Sequence, residues 1–163
     1  MTLRITVPEG ADLLAHVWGR MVPGIGPAAA GLSMAVYEHS TLELRTFEAA
    51  RLRIAAINDC RWCRDFRTER DGERVEDAFP AAVAAWRDAP DALDARALLA
   101  AEYAERFALA HTDLDDDFWE RAHALFSDAE LVELTMCLGS WVAFGRLNRV
   151  LGLDTVCALP QHP

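Results

Sequence analysis

The stretch from Ser127 to Leu151 limits the possible folds more than any other part of this chain. Ser127-Asp128-Ala129-Glu130 has the spacing of a capping box, in which serine and glutamate each satisfy a free N–H at a helix start. The helix that follows, Leu131 to Leu151, is apolar on more than one side. Leu134, Leu138, Trp141 and Gly145 form one stripe, while Met136, Ala143, Phe144 and Leu147 point elsewhere. A helix with no clear polar face must be surrounded, either by other helices or by a second copy. Its longest near-apolar run, Met136 to Phe144, is far short of the ~20 residues of a membrane span.

The rest of the chain supplies helical neighbours. Glu9 to Arg20 reads as a first helix, closed by the turn Pro23-Gly24-Ile25-Gly26-Pro27, and Ala28 to Glu38 as a second built of small residues. Ser40-Thr41-Leu42-Glu43 reads as another capping box, opening a helix from Leu42 to Asn58. A short helix carries on to Glu69, where Asp71-Gly72 breaks it. Further helices are expected from Pro80 to Asp88, from Pro90 to His111 and from Asp117 to Phe126. The acidic stretch Asp113 to Asp117 lacks the glycine and terminal glutamate of a calcium loop and reads as solvated surface. Much of the 52% hydrophobic content is alanine, which favours helices and close helix–helix contact. The expectation is all-α: one domain over 1–163, a core over about 40–151 and a loose tail at 159–163.

A formal charge of −10 argues against nucleic acid or an anionic membrane surface as partner. The first ten residues lack the apolar core of a signal peptide, so a cytoplasmic location is expected. In a reducing compartment four cysteines imply chemistry rather than a disulfide framework. Two of them form Cys60-Arg61-Trp62-Cys63 at a helix start, where N–H groups favour a thiolate and the second thiol lies one turn away. Arg61, Arg64, Arg67 and Arg70 add positive charge, while Asp59 and Asp65 oppose it. Zinc is not expected: there is a single such pair, Cys137 lies in an apolar helix and Cys157 near the tail. Nor is any organic cofactor. Among the histidines, only His39 could face a pocket, and a helix end more often makes it a C-terminal cap.

Glu48 lies twelve positions before Cys60. If the chain reverses near residue 60, Cys63 faces Ala56, Arg67 faces Leu52, and Glu48 sits one turn further along. Arg67 could then bridge Glu48 and Cys63. The plainer alternative is that Glu48 pairs on the helix surface with Arg45 and Arg51, three residues either side.

The segment Glu48-Ala49-Ala50-Arg51-Leu52-Arg53-Ile54-Ala55-Ala56-Ile57-Asn58-Asp59-Cys60-Arg61-Trp62-Cys63 resembles the core of the carboxymuconolactone decarboxylase / AhpD-like superfamily. Phe126 to Leu134 and the closing Arg146-Leu147-Asn148-Arg149 resemble its peroxidase-related members. The resemblance implies a helical bundle that assembles as a homo-oligomer, a trimer or hexamer, or else a dimer. It implies hydroperoxide reduction with Cys63 attacking, Cys60 resolving and Glu48 in the proton relay, and a dihydrolipoyl- or thioredoxin-like dithiol protein as reductant. Two positions depart from the pattern. Arg67 replaces the histidine four residues after the second cysteine, and Trp62 stands where a histidine often lies between the two. Arginine holds its proton at neutral pH, so Arg67 would weaken Glu48 as a base while stabilising a Cys63 thiolate, and slow turnover is expected. Two other readings compete: a lactone decarboxylase of aromatic catabolism, which would not need the dithiol, and an oligomeric redox sensor without catalysis.

Overall fold

A computed structural model of the chain describes residues 2–153. Seven α-helices carry the architecture: α1 (Gly26–Glu38), α2 (Leu44–Ile57), α3 (Arg61–Asp65), α4 (Phe79–Ala84), α5 (Ala95–Leu109), α6 (Asp116–Leu125) and α7 (Asp128–Leu151). A π-helical segment, Ala15–Met21, precedes them, and 3-10 turns at Pro90–Ala92 and His111–Asp113 join α4 to α5 and α5 to α6. No strand occurs among the described residues. The all-α expectation is borne out. The tail at 159–163 and Cys157 lie outside the described residues.

Helix α2 is the axis of the fold and packs against α5, α7 and α4. Alanine makes this possible. Ala49, Ala50 and Ala55 of α2, with Ala97, Ala100, Ala101 and Ala104 of α5, are all buried, so little side-chain bulk keeps the two backbones apart. Phe47, Phe79 and Phe118 fill the wider gaps and are fully buried. Fully burying such a ring stabilises the fold by about 1.5–3 kcal/mol. In α7 the stripe Leu134, Leu138, Trp141 and Gly145 faces inward, whereas Met136 and Leu147 are exposed.

The capping box at Ser127 forms as expected. The Glu130 N–H donates to Ser127 Oγ and the Ser127 N–H donates to Glu130 Oε2. The Ser127 N–H, the Arg96 guanidinium and the Ser127 hydroxyl together pull the Glu130 carboxyl down to about 2 from its ordinary 4.5. A carboxyl lowered on folding stabilises the fold above its unfolded pKa, and that contribution fades as pH falls through the folded value. Glu130→Gln should therefore lower the urea midpoint at pH 7, and the two proteins should converge near pH 2.

The second expected box does not form. The N-cap of α2 is Glu43, and no side chain caps it. Ser40 Oγ, Thr41 Oγ1 and the N–H groups of Thr41 and Leu42 all donate to Glu133 of α7. A carboxylate from another helix offers two acceptors to four donors at once, which Glu43 could not do. Two other boundaries move for local reasons. The first helix begins later than Glu9 because Gly10 takes a positive φ of 76° and Asp12 accepts from the Ala15 N–H. The helix expected from Pro90 starts at Ala95, where the Asp94 carboxylate accepts from the Ala97 N–H.

Candidate functional site

The dithiol sits where α2 ends and α3 begins. The N–H of Asn58 closes the last turn of α2, and Asp59 then takes a positive φ of 51°, which turns the chain towards α3. Two residues, Asn58 and Asp59, tie this corner to α7. Asn58 Nδ2 donates to the Trp141 carbonyl at 2.9 Å, and Arg146 Nε donates to Asn58 Oδ1 at 3.2 Å. Asp59 pairs with Arg149. Gly145 leaves room for the first tie, since a Cβ there would lie 2.3 Å from Asn58 Nδ2.

Cys60 is the N-cap of α3 and Cys63 its third residue; the two are joined as a disulfide, with Cα atoms 5.3 Å apart. Cys60 Sγ accepts from the Cys63 N–H at 3.3 Å. Cys60 is only 2% exposed, while Cys63 is partly open to solvent. Trp62 stacks on Phe66, their rings 5.1 Å apart and 23° from parallel, and Phe66 meets Tyr37 edge-on at 5.9 Å. An aromatic wall thus runs from the dithiol towards Phe47 and Trp141. Burial pushes the Tyr37 phenol up to about 12.

Glu48 lies beneath this corner, fully buried. Its carboxylate accepts two bonds from Arg51, Nε to Oε1 at 2.5 Å and Nη2 to Oε2 at 2.8 Å, and a third from Thr68 Oγ1 at 2.6 Å. Arg51 then reaches α3: Nη1 donates to the Cys63 carbonyl at 2.6 Å and Nη2 to the Phe66 carbonyl at 2.7 Å. Burial opposes the charge on Arg51, but the Glu48 carboxylate outweighs it and raises the guanidinium pKa.

The expected bridge from Arg67 to Glu48 and Cys63 is not formed. Arg67 Nη1 donates to the carbonyls of Arg64 at 2.5 Å and Phe66 at 2.7 Å, and the residue that shares a small cavity with Leu52 and Ala56 is Arg64. The reason is the length of α3. A five-residue helix leaves its last carbonyls without internal partners, and two arginines supply the missing donors. Arg51 carries the link between Glu48 and the Cys63 backbone. Its sequence signal was the i, i+3 spacing to Glu48; what the spacing could not give was that the pair is buried. Arg45, the other candidate partner, turns away to Glu76 and Asp94.

Of the remaining candidates, His39 is the C-cap of α1, its N–H donating to the Ala35 carbonyl. Cys137 is a buried free thiol whose pKa burial, and then Glu133, raise to about 12. No three His, Cys, Asp or Glu side chains gather as a metal site among the described residues. No helix there is long and apolar enough to cross a membrane. A larger surface depression of about 520 Å³ lies between α6 and the opposite end of α7, lined by Trp119, His123, Leu131, Val132 and Met136.

Fold and site together define an all-helical domain with a dithiol mounted at the corner after its central helix. No protein-family model matches the chain, and no curated protein does. Among solved structures, the chain is similar to an Agrobacterium tumefaciens protein of unknown function, provisionally assigned as the antioxidant defence protein AhpD. The two share 23% identity and a TM-score of 0.68 over 99% of each chain. The fold is AhpD-like.

Proposed function

We propose that the protein is a thiol-dependent hydroperoxide reductase. The observation that carries this reading is the Cys60–Cys63 bond between a buried cysteine and a partly exposed one on an AhpD-like fold. Cys63 is the more exposed residue of the two, which supports it as the attacking thiol and Cys60 as the resolving one. The Cys63 thiolate attacks a peroxide oxygen, the O–O bond breaks, and the alcohol leaves after taking a proton. Cys63 is then a sulfenic acid. Cys60 attacks its sulfur, the S–O bond breaks, and water departs as the disulfide forms. A dithiol protein of the dihydrolipoyl or thioredoxin type returns the two electrons. Arg67 stands where the family pattern has histidine; it brings positive charge beside the α3 carbonyls and no proton acceptor. Assembly as a homo-oligomer belongs to the same reading, supported by exposed Met34, Val132, Met136 and Val150.

The test is a stoichiometric dose of hydroperoxide given to the reduced protein, followed by alkylation and mass spectrometry. Selective formation of the Cys60–Cys63 bond, reversed by a dithiol, is the expected result. Both thiols remaining free for alkylation would end the proposal.

A further inference from the structure

Glu48 is expected, by family resemblance, to pass protons. Its surroundings fit a different task. Its carboxylate accepts three hydrogen bonds, two from Arg51 and one from Thr68, and among the described residues no hydrogen bond connects it to either sulfur. Residue 67, the position through which a relay would run, is turned onto carbonyls of α3. Arg51 is itself 2% exposed, spans from the Glu48 carboxylate to the Cys63 and Phe66 carbonyls, and lies 5.4 Å over the Phe66 ring. A guanidinium can do this because its donors diverge in one rigid plane, two facing the carboxylate and the rest facing α3.

The geometry points to Arg51 as a positioning residue for Cys63, with Glu48 as its anchor rather than a base. Arg51 holds the short turn of α3 in the arrangement that keeps the two sulfurs within bonding reach. Glu48 and Thr68 hold Arg51. The effect on peroxide chemistry rests on the reading of Cys63 as the attacking thiol; the effect on the dithiol itself does not.

Two measurements on the full chain test this without peroxide. The first is the equilibrium constant for forming the Cys60–Cys63 bond in a glutathione buffer. Arg51→Lys keeps a positive charge opposite Glu48 but replaces the planar fork with a single point of donation. It should lower that constant roughly tenfold, because the sulfurs spend less time in register. The second is the pH dependence of Cys63 alkylation by iodoacetamide in the reduced protein. Glu48→Gln keeps one oxygen for Thr68 and Arg51 Nε, turns an amide donor towards Arg51 Nη2 and cannot accept a proton. If Glu48 is only an anchor, the alkylation midpoint should not rise, because the uncompensated Arg51 charge favours the thiolate. A merely structural role for Arg51 would lower the melting temperature and leave the glutathione equilibrium alone. An Arg51→Lys constant within twofold of native overturns the proposal, and so does a Glu48→Gln midpoint raised by a unit or more. Should Glu48→Gln fail to fold, the Arg51→Lys equilibrium decides alone. Should the native protein ignore hydroperoxide while both thiol measurements come out as expected, the peroxidase reading falls and the positioning role stands.

Discussion

Cys63→Ser should cut hydroperoxide consumption at least about 10³-fold, since the substitution removes the atom that attacks and no other described thiol is placed to replace it. The free thiol that remains in the core, Cys137, is buried and holds its proton to about pH 12. Cys60→Ser should behave differently. Its first equivalent of peroxide should be consumed at near-native rate, because Cys63 is intact, and Cys63 should then stay as a sulfenic acid that dimedone traps. Stopped-flow consumption assays with mass spectrometry of both variants separate the roles. Equal loss in the two would mean that the sulfurs act only as a bonded unit. Persistence of peroxide turnover in Cys63→Ser would move that chemistry elsewhere; decarboxylation of a lactone, were that the activity, should survive the substitution.

The second large effect concerns stability. Glu48→Ala leaves the Arg51 guanidinium buried with no counter-charge, and breaking one side of a buried pair costs about 3–5 kcal/mol. Set against a typical total of 5–15 kcal/mol, this is a large share of what keeps such a domain folded. Pairing Glu48→Ala with Arg51→Met removes the stranded charge and should recover part of the loss. Urea denaturation of the single and double variants gives the comparison. A single variant less than about 1 kcal/mol below native would mean that water reaches this site. Alanine at Thr68 should cost less, since it removes only one neutral donor to Glu48.

The helices were largely legible in the sequence because their caps are local. Ser127 and Glu130 lie three residues apart on one turn, and nothing distant competes for them. Ser40 and Glu43 have the same spacing and fail, because Glu133 arrives from a helix more than ninety residues away in sequence and takes the same donors. The site shows the same division. The dithiol could be singled out from its spacing and Glu48 from its place in the family pattern, and both lie at one corner. Arg67 could not be placed from sequence: its direction depends on α3 ending at Asp65, four residues sooner than the expected Glu69, with its carbonyls exposed to whichever cation is nearest. Arg51 was visible only as a surface partner for Glu48. Burial decides its importance: Phe66 lies against the guanidinium, and Thr68 closes on the Glu48 carboxylate that pairs with it.

The corner that carries the thiols is fastened to the far end of the chain, through Asn58 with Trp141 and Arg146, and through Asp59 with Arg149. A ribosome making this protein releases both sulfurs some eighty residues before the helix that braces them exists. At ~5–20 residues per second, the pair spends several seconds outside its finished setting. These ties are therefore made late in synthesis, when the last helix docks, and a chain stopped short of Trp141 would carry the same two sulfurs without these braces.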